Sequence, residues 1–178
     1  MDTLQEQHER WVGDQVIDWY NSRHGSNFRF HGRCGEAPDL EYRDDGRFLR
    51  IEVGTAYYDG DDAKFMWLRA RQHPDAPKQW SGSDFDAKLV EDINKEIKDK
   101  CANSYGPNCV LAVCVLPFHT SANDMEARLE EISIPANNPF DGIYLYGEFP
   151  APIEIPLNPP ERKVWQLAPT TGGVEITK

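Results

Sequence analysis

The stretch PDLEYRDDGRFLRIEVGTAYY, residues 38–58, constrains the fold more than any other segment, because two alternating tracts flank an Asp-Gly pair. Pro38, Leu40 and Tyr42 alternate with Asp39, Glu41 and Arg43, while Leu49, Ile51 and Val53 alternate with Phe48, Arg50 and Glu52. That period of two belongs to strands with one buried face. Asp45-Gly46 suits a type I′ hairpin turn, whose central positions both need positive φ. Such a turn pairs Asp44 with Arg47, and the same register sets Asp39 opposite Glu52. Directly opposed residues share a face with Cβ atoms about 4.5–5.5 Å apart, where two carboxylates repel unless a cation lies between them. A three-residue loop with a bulge would shift this register by one.

The flanking sequence supplies an α/β pattern. Leu4, Trp11, Val12, Val16, Ile17, Trp19 and Tyr20 recur at spacings near three and four, predicting a helix over residues 3–23 that ends at His24-Gly25-Ser26. A short strand is expected at residues 27–31. After the hairpin come an Asp- and Gly-rich corner at 59–62, a short helix at 63–71 and a polar loop ending at Ser83, a potential cap. Leu89, Ile93, Ile97 and Cys101 then form a four-residue stripe over residues 84–102, with Lys100 on its flank. Residues 108–117 are almost continuously apolar, as in a parallel strand buried on both faces. A further short helix is expected at 126–132, and strand-like pieces at 143–149, 163–167 and 174–177. Eight of the thirteen prolines fall between Pro135 and Pro169, which reads as an edge-strand appendage on the core.

Composition sets the class. The 178 residues fit one domain, divided into a core at 1–117 and a helix plus Pro-rich strand appendage at 118–178. No window approaches eighteen consecutive apolar residues, and the N-terminus lacks a basic start with an apolar stretch, so a cytoplasmic chain without a membrane span is expected. The net charge of −11 repels nucleic acid wherever local charge or bound metal does not reverse it. Residues 29–50 do offset it, since Arg29, Arg33, Arg43, Arg47 and Arg50 balance Glu36, Asp39, Glu41, Asp44 and Asp45. Cys34, Cys101, Cys109 and Cys114 show no CxxC spacing, so reduced buried thiols are expected rather than a zinc site.

The order helix, three strands with the last two in a hairpin, helix, buried strand is αβββαβ. With Pro38-Asp39 ahead of the hairpin and Glu52-Val53 on its second strand, residues 5–117 resemble the PD-(D/E)XK nuclease superfamily, with its restriction-endonuclease-like fold of a central mixed sheet flanked by helices. The motif lysine is replaced: Gly54 stands two residues after Glu52. Some superfamily members carry that lysine on the following helix, and Lys100 is the candidate here because its phase sets it beside the Ile93/Ile97 stripe, with Lys64 as the alternative. The opening helix often adds an acid in this family, and Glu9 shares a stripe with Gly13, Val16 and Tyr20. A surface glutamate is the other reading of Glu9.

The resemblance implies Mg²⁺- or Mn²⁺-dependent phosphodiester hydrolysis of nucleic acid, DNA ahead of RNA, by a nuclease working alone, as a homodimer or as a subunit of a larger complex. Asp39, Glu52 and Lys100 would be catalytic. Asp39, Glu52, the Val53 carbonyl and Glu9 would hold the metal, carboxylates being the ligands hard cations prefer. Arg43, Arg47 and Arg50 would contact nucleic acid. Gly54 and the acidic charge also support the alternative of a catalytically inactive member of the fold acting as a binding or assembly module. The other reading of Asp39 and Glu52 themselves is two solvated carboxylates on the open face of a hairpin. Other candidates are weaker. His31 and Cys34 lack a second metal-binding pair, Trp11, Trp19, Trp67 and Trp80 read as core rather than base-stacking residues, and Asp59–Asp62 lacks the rest of a calcium loop.

Overall fold

The computed structural model describes residues 2–57, 84–117, 120–149 and 160–168. Within them runs one six-stranded mixed sheet with helices on both faces, ordered β1-β2-β3-β4-β5-β6. The elements are α1 (Leu4–His24), β1 (Arg29–Arg33), β2 (Leu40–Asp44), β3 (Arg47–Ala56), α2 (Phe85–Cys101), β4 (Cys109–Val115), α3 (Ala122–Glu126), a 3-10 turn (Leu129–Glu131), β5 (Gly142–Phe149) and β6 (Glu161–Ala168). β1, β2 and β3 are antiparallel, β3, β4 and β5 are parallel, and β6 runs antiparallel to β5.

Local chemistry explains most boundaries. Thr3 and Glu6 form a reciprocal capping box that starts α1, and Gly25 closes it. In the hairpin, Asp45 (φ 43°) and Gly46 (φ 84°) both take the left-handed conformation that a type I′ turn requires. Asp44 pairs with Arg47 and Leu40 with Ile51, the register that the two-residue turn dictates. β1 begins two residues later than the pattern suggested, because Asn21 holds the approach to it: its Oδ1 accepts from Phe28 N and its Nδ2 donates to Phe28 O, both at 2.9 Å.

Two apolar layers sandwich the sheet. α1 lays Val12, Val16, Ile17 and Tyr20 against Leu40, Tyr42, Leu49, Ile51 and Val53 of the hairpin and Val110, Ala112, Cys114, Tyr144 and Tyr146 beyond it. α2 lays Leu89, Val90, Ile93 and Ile97 on the opposite face, against Leu111, Val113, Val115, Ile143 and Leu145. Strand alternation divides the residues of β3 between these layers. Trp11 and Trp19 sit in the first layer, edge-on to Tyr146 and Tyr144. Cys101, Cys109 and Cys114 are buried free thiols, and Cys34 is half-buried.

Three expectations need correction. β5 is an interior strand rather than part of an edge appendage: all eight of its residues are buried and it lies between β4 and β6, with β6 at that edge of the described sheet. The short helix expected at 126–132 is an α-helix at Ala122–Glu126 followed by a 3-10 turn, because Ser121 and Asp124 form a capping box upstream of the expected start. α2 begins after Asp84, whose φ of 53° leaves it without a side-chain cap hydrogen bond. Ser83, the helix at 63–71 with Lys64 and Trp67, the corner at 59–62, Trp80 and the strand at 174–177 lie outside the described residues. No helix among the described residues is long and apolar enough to cross a membrane.

Candidate active site

β2 and β3 part company after the Leu40–Ile51 pair. From Glu52 to Ala56, β3 keeps β4 as its partner on one side, in register with Leu111 to Val115. On the other side its backbone meets a side chain: Asp39 Oδ2 accepts a hydrogen bond from Val53 N at 2.8 Å. The N–H and C=O of one residue in an extended strand point the same way, so the Val53 carbonyl faces this open edge too.

Glu52 lies between Ile51 and Val53, both in the α1 layer, and so projects toward α2. There Lys100 reaches it from the last turn of α2, with Nζ 2.6 Å from Glu52 Oε1. Glu52 is buried, and its second oxygen, Oε2, is shielded from solvent and makes no hydrogen bond among the described residues. Burial works against the Lys100 charge, but the Glu52 hydrogen bond and the surrounding carboxylates outweigh it and hold the ammonium above its ordinary pKa. A lysine so held stays protonated at neutral pH. It can offset negative charge or orient a neighbour, and it is not a general base.

Asp39 is pushed up to about 6, chiefly by burial. The Val53 N–H opposes that shift, the charges of Glu52 and Glu9 reinforce it, and Lys100 counters part of it. Asp39, Glu52, Glu9 and Lys100 therefore share one electrostatic neighbourhood. Glu9 reaches it from the first turns of α1 and is already engaged: it forms an ion pair with Arg33 and accepts from Gln5 Nε2 at 2.9 Å. An excess of negative charge with one orphaned, buried carboxylate oxygen is the environment a hard cation stabilises.

Gly54, two residues after Glu52, faces the same side of β3. A Cβ placed there would stand 2.6 Å from Glu96 Oε1 and 2.9 Å from Glu96 Cγ. Position 54 thus has no room for a side chain while Glu96 lies across it. Glu96 and Lys100 are i, i+4 neighbours on α2, so one helix face supplies both the acid over Gly54 and the ammonium on Glu52. Burial pushes the Glu96 carboxyl up, and Lys100 opposes the shift. Sequence reasoning missed Glu96, although its spacing of four from Lys100 together with the glycine at 54 was the available signal.

Next to these groups an open cleft of ≈ 380 Å³ runs between the start of α1 and α2, over the C-terminal half of β3. His8 and Thr55 line it and are hydrogen-bonded, with Nε2 and Oγ1 3.0 Å apart. Burial holds the His8 imidazole below its ordinary pKa, against the nearby Glu9 charge.

The three arginines expected to contact nucleic acid separate. Arg43 and Arg50 converge on Glu41, at 2.7 and 3.2 Å, on the sheet face away from α1, and Arg50 lies 4.8 Å from the centre of the Phe48 ring. Arg47 turns to the other face, where it pairs with Asp44 and sits 5.3 Å over Phe28. Among the described residues, no three His, Cys, Asp or Glu side chains come together as a metal-binding group. Asp39 and Glu52 with the Val53 carbonyl are accordingly a two-carboxylate set, as Mg²⁺ commonly takes when water completes its shell. No family model matches the chain, and no curated protein or solved structure matches it significantly.

Proposed function

We propose that this protein hydrolyses phosphodiester bonds of nucleic acid with the help of Mg²⁺ or Mn²⁺, as a divergent nuclease resembling the PD-(D/E)XK superfamily. The observation that carries this reading is the 2.6 Å contact of Lys100 Nζ with Glu52 Oε1, beside Asp39 and across from the vacated position 54. An acid just ahead of β2, an acid on β3 and a lysine are then close together, the lysine coming from α2 in place of β3. The order α1, β1, β2, β3, α2, β4 among the described residues is compatible with the αβββαβ core of that superfamily.

Asp39, Glu52 and the Val53 carbonyl would hold the cation, for which the orphaned Glu52 Oε2 and the raised Asp39 are the supporting observations. The bound ion supplies charge for the phosphoryl oxygens and a lower pKa for the attacking water. Lys100, kept protonated, stabilises the same developing charge and fixes the Glu52 carboxylate. Glu9 stays with Arg33 and closes the α1 side of the site. Arg43 and Arg50, on the same sheet face as Glu52, would guide the phosphate backbone toward it.

Calorimetric titration of Mn²⁺ tests the reading, with each variant checked for folding by circular dichroism. Binding by wild type that disappears in Asp39→Ala and in Glu52→Ala but persists in Lys100→Ala is expected, with cleavage of nucleic acid abolished in all three. A folded wild type that takes up no Mn²⁺ overturns it and leaves a metal-free binding or assembly module as the function to pursue.

A further inference from the structure

Among the described residues, the cleft over β3 is lined by acidic and neutral groups. Neither lysine nor arginine lines it among the described residues; its polar groups are Gln5, His8, Thr55, Tyr57, Glu9 and Glu96. A phosphate would meet two carboxylates there, whereas a neutral group rich in donors would be welcome. Its volume of ≈ 380 Å³ suits a small planar ligand.

Most polar groups of the lining are already engaged. Glu9 is taken by Arg33 and Gln5, and His8 is hydrogen-bonded to Thr55. Glu96 differs: it accepts no hydrogen bond among the described residues, yet it is half-buried and has position 54 cleared of any side chain beneath it. Glu96 thus leaves both carboxylate oxygens for water or for a ligand, and a ligand that presents two donors matches them.

We propose that this cleft binds a guanine base, with the Glu96 carboxylate accepting hydrogen bonds from guanine N1–H and N2–H. Of the common bases, guanine alone presents two adjacent donors to one carboxylate. Adenine and cytosine set an amino group beside an acceptor, and uracil and thymine set a single N–H between acceptors. An ionised carboxylate accepts two parallel bonds with ease. The inference deepens the hydrolytic reading by naming the base beside the cut phosphate, and it rests on that reading for bringing a nucleotide to the site. Gly54 acquires a specific role: it admits Glu96, and Glu96 reads the base.

The test is an NMR titration of the full chain in EDTA with guanosine, inosine, adenosine, cytidine and uridine, following the Gly54 and Thr55 amides. Guanosine is expected to bind about tenfold or more tightly than the others, the discrimination one bidentate pair provides. Inosine, which lacks the N2 amino group, should fall with the weaker group. Glu96→Gln should erase the preference while leaving the fold intact, and Gly54→Ala should weaken guanosine by displacing Glu96. Equal affinities, or a guanosine preference that survives Glu96→Gln, would each overturn the proposal. Since the titration contains neither metal nor phosphate, it stands or falls separately from the Mn²⁺ calorimetry that decides the hydrolytic reading.

Discussion

Glu52 and Lys100 form an ion pair whose two ends differ in exposure, the glutamate side chain at 8% and the lysine at 24%. Removing one partner of such a pair strands the other, at a cost of about 3–5 kcal/mol for a fully buried pair. Lys100→Ala should therefore destabilise by about 3 kcal/mol, nearer the lower end because the ammonium touches water. The double variant Glu52→Gln/Lys100→Met should recover most of that loss, since no buried charge remains. Urea unfolding of the two single variants and the double variant checks this, and additive losses would refute the pairing. Asp39 has the opposite sign. Its pKa rises from 3.8 to about 6 on folding, so its protonated form favours the native state. That stabilisation is complete below pH 3.8 and disappears as pH climbs through about 6, leaving an ionised Asp39 as a net cost at neutral pH. Asp39→Asn, whose amide oxygen can still accept from Val53 N, should match wild type near pH 4 and exceed its stability by about 1–2 kcal/mol near pH 7.5, a value reduced for solvent screening. Urea midpoints at both pH values decide it; a pH-independent difference would show that Asp39 is not held up. The sequence singled out Asp39, Glu52 and Lys100 because strand register and helix phase are local rules. It did not single out Glu96, whose place depends on a tertiary approach to Gly54.

The approach of α1 to the hairpin is set by one small residue. A Cβ at Gly13 would stand 2.5 Å from Leu40 Cδ1 and 2.6 Å from Tyr42 Oη, and that hydroxyl donates to Asp14 Oδ1 at 2.9 Å. Helix propensity alone favours alanine over glycine by about 1 kcal/mol. Overpacking a tight contact costs about 1–3 kcal/mol, and here it also disturbs the Tyr42–Asp14 bond. Gly13→Ala should therefore lower the thermal midpoint despite improving the helix; a raised midpoint would mean that α1 rides further from β2. Element by element, legibility followed sequence locality. The hairpin, both long helices and β4 were readable because turn chemistry, capping and hydrophobic period act within a few residues. β5 was misjudged as peripheral because prolines crowd the sequence around it, while the strand itself, GIYLYGEF, contains none and is buried along its whole length. α3 was placed late because its start depends on the Ser121/Asp124 capping box rather than on apolar spacing. The splitting of Arg47 from Arg43 and Arg50 follows from strand alternation, a rule available beforehand and applied only to the carboxylates.

At the scale of the whole molecule, the net charge of −11 sets a repulsive background against which any polyanion must bind. Arg43 and Arg50 are the groups placed to overcome it locally, and Glu41 between them cancels one of their two charges. Glu41 is thus a brake on backbone binding, and its removal releases both guanidinium groups. Binding of a short oligonucleotide in EDTA, followed by fluorescence anisotropy across a range of salt, should be weak for wild type and stronger for Glu41→Gln. Arg43→Gln/Arg50→Gln should weaken it further and flatten the dependence of log affinity on log salt by about one unit for each phosphate no longer neutralised. Arg47→Gln should change neither quantity, because Arg47 lies on the opposite face with Asp44 and Phe28. The contrast between faces is the decisive comparison. An effect of Arg47→Gln equal to that of the pair would mean that the nucleic acid meets the α1 side of the hairpin, away from Glu52 and Lys100. The site would then be separated from its substrate by the sheet itself, and the hydrolytic reading would have no route to the phosphate.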